Sequence, residues 1–160
     1  MRKFLLVPCA VAVILIASDA ASGCVCLLPA GKPTPEQARA ALVKDFNEAF
    51  AIFSGEVVRL DNFKVKFKVD RVWKGVVGDE IVMSTGTKDN GDGTYRSSSC
   101  DYSFKSGEKY LVFAYGSSAE EMQAHRCTRT GLLTREEETI KDLDEVRPHE
   151  KRNTKPGEKD

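Results

Sequence analysis

Four cysteines and one histidine are the side chains in this chain best suited to chemistry. They stand as C-V-C at Cys24–Cys26, as Cys100, and as H-R-C at His125–Cys127. Thiolates and imidazole ligate zinc, so the set could hold a metal. Structural zinc sites usually space paired ligands two to four residues apart, and C-x-C and H-x-C are tighter than that. The fifth cysteine, Cys9, lies in the leading apolar segment, and the remaining even number suits two disulfides in an exported chain. Four cysteines allow three pairings. Cys24 with Cys26 is disfavoured, because one intervening residue strains the ring. The other two pairings both tie the N-terminal stretch to two distant points.

Other chemistry finds little support. A hydrolase needs a nucleophile, a base and an orienting group. Beyond the leading segment only His125 and His149 are imidazoles, and no G-x-S-x-G, H-E-x-x-H or P-loop occurs. Oxidised cysteines are not nucleophiles. D-N-G-D-G at 89–93 puts Gly91 and Gly93 where a calcium loop needs carboxylates, and reads as a hairpin loop. The expectation is a protein that is not an enzyme and needs no cofactor.

The leading stretch decides what happens to Cys24. Arg2 and Lys3 precede the apolar run from Phe4 to Ala17, and S-D-A-A-S-G follows. This is the pattern of a secretory signal over residues 1–23, too short to span a bilayer. Ala21 and Gly23 favour a cut that leaves Cys24 first. Ala20 and Ser22 offer the alternative, which leaves Gly23 first. A lipobox would place Leu near −3, where Ala21 stands, and Ser18 and Asp19 interrupt the apolar run. A membrane therefore enters only if Cys24 is lipidated. The product is expected to be secreted, extracellular or periplasmic. Without residues 1–23, which hold Arg2, Lys3 and Asp19, 22 basic side chains face 23 acidic ones. That balance gives no reason to expect a nucleic-acid partner. A monomer is expected.

Residues 24–147 read as one domain, and 148–160 as a polar, disordered tail. Thr34 can cap a helix with Pro35 at its first position, and Ala38, Ala41, Leu42 and Phe46 follow at helical spacing. A-I-F-S-G-E-V-V-R-L at 51–60 and the alternating K-V-K-F-K-V at 64–69 predict paired strands, with a hairpin at Leu60–Asn62 and a bulge at Arg71. Further strands are expected at 80–85, around 101–104 and at 109–115, with a helical turn within 117–124. Thr134 and Glu137 form a capping box that predicts a last helix carrying Ile140, Leu143 and Val146. The fold class expected is mainly β: a five-stranded OB-fold-like Greek-key barrel with one N-terminal and one C-terminal helix, stapled by two disulfides. A β-sandwich is second.

C-V-C after a signal, F-S-G-E-V-V, F-K-V-D-R-V-W-K-G, C-D-Y-S-F-K-S-G-E-K-Y-L-V-F-A-Y and C-T-R-T-G-L-L occur in one order across residues 24–133. Together they resemble the inhibitory N-terminal domain of the tissue inhibitors of metalloproteinases (TIMPs) and the wider netrin-like (NTR) modules. The resemblance implies the five-stranded barrel and the pairings Cys24–Cys100 and Cys26–Cys127. It implies a zinc metalloprotease as partner. The α-amine and carbonyl oxygen of Cys24 would chelate the protease's catalytic zinc in trans. Val25 would enter the pocket beside the metal, Cys26 would lock the segment, and Leu27 and Leu28 would lie along the cleft. The chain departs from the animal inhibitors, which carry a third disulfide here and a second cysteine-rich domain. Its helical stretch between Leu27 and Phe50 also differs. It thus resembles the short, often bacterial, relatives. The alternative is an exported netrin-like binding module without inhibitory activity, or a version of either anchored by lipid at Cys24.

Overall fold

The computed structural model describes residues 23, 24, 26, 31–75 and 77–146. Most of the expected signal peptide and the polar tail lie outside the described residues, and so do Val25, Leu27 and Leu28.

Helix α1 (Pro35–Glu48) begins as its sequence requires. The Thr34 hydroxyl accepts from the Gln37 amide at 3.2 Å, and the Gln37 side chain accepts from the Thr34 amide at 2.9 Å. These bonds use two of the donors that a helix start leaves orphaned. Leu42 and Phe46 form its buried face.

Strands β1 (Ala51–Leu60) and β2 (Lys64–Lys74) follow as an antiparallel hairpin. Asp61 closes the turn, its Oδ1 accepting from the amides of Phe63 and Lys64 at 2.9 and 2.8 Å. Ser54 pairs with Arg71 and Gly55 with Val69, so Asp70 is the extra residue of a bulge. The expected slip at Arg71 therefore sits one residue earlier. Trp73 and Val58 are also skipped in the register. Gly55 is required at the bend: a Cβ there would lie 2.6 Å from the Lys68 carbonyl oxygen.

The chain continues through β3 (Glu80–Ser84), the small hairpin β4 (Lys88–Asp89) and β5 (Tyr95–Arg96), and then β6 (Lys109–Ala114) and β7 (Gly131–Leu132). The main sheet is five-stranded and antiparallel, in the order β3-β2-β1-β6-β7. A 3-10 turn (Leu133–Arg135) leads into helix α2 (Glu137–Val146). At this level the structure is as expected: mainly β, with a helix toward each end and two disulfides.

The centre of the sheet, β6 and the first half of β1, is buried on both faces. On one, Phe53, Val65, Phe67, Met83, Tyr110 and Val112 pack with Phe104. On the other, Ile52, Trp73, Leu111 and Phe113 receive Leu42 and Phe46 of α1 and Leu143 of α2. This explains why β6 is a continuous apolar run rather than an alternating one.

Three local expectations fail. Around 101–104 a single bridge forms among the described residues, Asp101 with His125. Residues 117–124 do not make a helical turn. They turn and then run extended, because Met122–Arg126 finds backbone partners on several sides. The Met122 carbonyl accepts from the Ser84 amide at 2.8 Å, Gln123 exchanges two bonds with Tyr115, the Ala124 carbonyl accepts from Tyr102 at 3.3 Å, and the Arg126 amide donates to the Cys100 carbonyl at 2.8 Å. This segment thus joins edge strand β3 to the end of β6. Finally, Thr134 does not cap α2. It lies inside the 3-10 turn, and the Glu136 carbonyl accepts from the Ile140 amide at 2.9 Å instead.

Candidate functional site

The four cysteines meet where two loops are held side by side. Cys100 lies in the loop between β5 and β6. Cys127 lies just after the extended Met122–Arg126 segment. The Arg126-to-Cys100 backbone bond and the Asp101–His125 bridge fix the two loops against each other. Onto this platform the N-terminal stretch is bonded twice. Cys24 joins Cys100 with their Cα atoms 4.9 Å apart, and Cys26 joins Cys127 at 5.3 Å. The bridges are adjacent: Cys24 Sγ lies 3.7 Å from Cys127 Sγ. Of the two pairings that the spacing left open, the structure holds this one.

The crowding also disposes of the metal reading for these residues. The sulfurs of Cys24, Cys26 and Cys127 lie within 4.8 Å of one another, as in a ligand cluster. Each is bonded to another sulfur, whereas zinc requires free thiolates. His125 serves the loop contact; its Nε2 lies 3.1 Å from the Gln123 side-chain nitrogen.

Side chains that sequence reasoning passed over brace the platform. Thr130 is buried, and its hydroxyl accepts from the Phe113 amide at 3.0 Å. Thr128 donates to the His125 carbonyl at 2.8 Å. Arg129 reaches Asp45 of α1 at 2.5 Å. On the other side the Asp101 carboxylate accepts from the Ser98 amide at 2.7 Å. Gly86, at φ +91°, packs so closely on that carboxylate that a Cβ would overlap it. The only hints in the sequence were the hydroxyls of C-T-R-T and a glycine inside a polar loop, neither of which is specific.

An open groove of about 490 Å³ runs beside Cys100, between the β1–β2 turn and the 97–104 loop. Asp61, Asn62, Asp101, Tyr102 and Arg126 contribute to its walls. The backbone bonds from Phe63 and Lys64 hold the Asp61 carboxyl below its ordinary pKa, so it stays ionised. Burial pushes the Tyr102 phenol up, so it stays neutral.

Compared with known proteins, the chain matches no family model and no curated protein.

Proposed function

We propose that the chain is an exported metalloprotease inhibitor of TIMP-like type, acting through Cys24 once the signal is removed. One observation carries the reading: Cys24 and Cys26 are each bonded to a different, mutually braced loop. A strip held at two points with one residue between them loses little further freedom on binding, which lowers the entropic cost of docking. An α-amine has a pKa near 8, so its neutral, ligating form is accessible at neutral pH. Amine and carbonyl oxygen of Cys24 together would displace the water that the target's zinc activates. Val25 is a modest apolar plug for the adjoining pocket, with Leu27 and Leu28 along the cleft. The bulged five-stranded sheet, whose edge strand β3 is linked to the end of β6 through Met122–Arg126, supports an OB-type barrel of the netrin-like kind.

A second reading is a netrin-like binding module in which the bridges only staple the fold. Helix α1 favours it, because the chain spends residues 35–48 covering the sheet's outer face instead of extending the strip.

The mature N-terminus tests the proposal. Intact-mass analysis of secreted protein should find an unmodified Cys24 first. That protein should inhibit members of a zinc metalloprotease panel, and one alanine placed ahead of Cys24 should abolish inhibition while leaving the melting curve unchanged. An acylated amine, a different first residue, or potency that survives the extension would sink it.

A further inference from the structure

The groove beside Cys100 has a composition of its own. Its volume, about 490 Å³, falls within the roughly 300–1,000 Å³ typical of small-molecule sites. Its charged lining is one guanidinium, Arg126, with two carboxylates, Asp61 and Asp101. All three keep bonding capacity. Among the described residues, Asp61 uses only Oδ1, toward Phe63 and Lys64. Among the same residues, Asp101 uses only Oδ2, toward Ser98. Arg126 donates only through Nε, to the Asp101 carbonyl at 3.4 Å, so its two terminal amino groups make no bond among the described residues. The half-buried ring of Tyr102 packs on the Phe104 ring at 4.7 Å and adds an aromatic surface.

Ligand classes can be weighed against this lining. An anion would meet Arg126 but also two carboxylates, so polyphosphates and sulfated sugars are disfavoured. An apolar ligand would strip water from charged groups and return no hydrogen bonds. The base of a nucleotide would stack, yet its phosphate would meet the charges of Asp61 and Asp101. A neutral polyhydroxyl compound fits every group. Its hydroxyls donate to carboxylate oxygens, accept from the guanidinium, and leave a C–H face for the aromatic wall.

We infer that this groove binds a neutral saccharide of one to three rings, through Asp61, Asp101 and Arg126 with Tyr102 as platform. Neither Cys24 nor Cys26 lines the groove, and the inference does not depend on inhibition. The groove is open, so affinity is weak, in the millimolar range.

The test is amide NMR of the full mature chain titrated with maltotriose, cellotriose or chitotriose, with a sulfated heparin disaccharide as the charged control. At least one neutral trisaccharide should shift amides of residues 61–62 and 98–103 in a saturable way. Arg126→Ala, which removes an exposed side chain, and Ser103→Trp, which fills the groove from an exposed position, should each weaken that binding about tenfold or more without changing the rest of the spectrum. Co-sedimentation with insoluble cellulose or chitin separates a polymer source from a free sugar. No saturable shifts with any neutral trisaccharide, shifts unaffected by both substitutions, or binding of the sulfated disaccharide alone would overturn the inference.

Discussion

The indole Nε1 of Trp73 donates to Asp144 at 2.7 Å, tying the end of β2 to helix α2 across 71 residues of sequence. The same carboxylate receives a bidentate pair from Arg71, whose guanidinium lies 4.7 Å from the Trp73 ring centroid. One aspartate thus satisfies a buried indole and a cation stacked on it. Asp144→Ala should cost about 1–2 kcal/mol, because it removes charge-assisted bonds and leaves the indole unpaired. Arg39→Ala breaks an ion pair with Glu145 whose side chains are 59% and 61% exposed, and should cost less than about 0.5 kcal/mol. Urea titration of both variants checks the contrast; equal losses would show that Asp144 is merely a surface charge.

Tyr110 should make stability fall at alkaline pH. Burial, together with its bond to Glu108 at 2.5 Å, pushes the phenol up to about 12, against about 10 in an unfolded chain. Between those values the folded state binds the proton and the unfolded state does not. Stability is therefore unaffected by this group below about pH 10 and declines as pH rises from 10 to 12. Tyr110→Phe should be less stable than the parent at pH 8 and should lose less on going to pH 11. If the two proteins decline in parallel, the phenol is not the titrating group.

Much of this architecture could be read from residue patterns, and the failures share a cause. Val65 and Phe67 alternate with lysines, and that alternation placed β2 correctly because one face of it is solvated. Thr34-Pro35 marked a helix start because capping is local. Pairing the cysteines needed contacts more than 70 residues apart, which spacing alone left open. Ser117–Ala124 looked helical in isolation, but the backbone of its last three residues, Met122–Ala124, is claimed by Ser84, Tyr115 and Tyr102. Asp70 bulges where Arg71 was expected, next to the Arg71 and Trp73 side chains that meet Asp144. The groove was invisible, because Asp61 and Arg126 come together only when the sheet and the Cys100 loop are assembled.

Gly86 should be intolerant of a side chain. Its φ of +91° is strained for other residues, and a Cβ would overlap the Asp101 carboxylate. Gly86→Ala should cost about 1–3 kcal/mol. It should also loosen the Cys100 loop, read as faster hydrogen exchange at the Ser98–Tyr102 amides. A stability change without altered exchange in that loop would place the strain elsewhere.

Removing one staple separates its two roles. The Cys26–Cys127 bridge spans 101 residues, and on the chain-entropy account such a loop is worth roughly 4–5 kcal/mol. The bridge lies beside Cys24–Cys100, with two sulfurs 3.7 Å apart, so the paired substitution Cys26→Ala with Cys127→Ala leaves the other bond and the Cys24 amine in place. The variant should remain folded at low temperature, because both cores and the Arg126-to-Cys100 contact persist. Its denaturation midpoint should fall by an amount consistent with several kcal/mol. Inhibition of a zinc metalloprotease should fall about tenfold or more in the same protein, even at temperatures where it is fully folded. The strip would then be held at one point, and ordering it would fall on the binding step. Stability should be measured by urea titration, and inhibition under conditions where circular dichroism shows the native state. If stability drops and inhibition is unchanged, rigidity of the strip is not what makes Cys24 effective, and the second bridge is a staple of the fold alone.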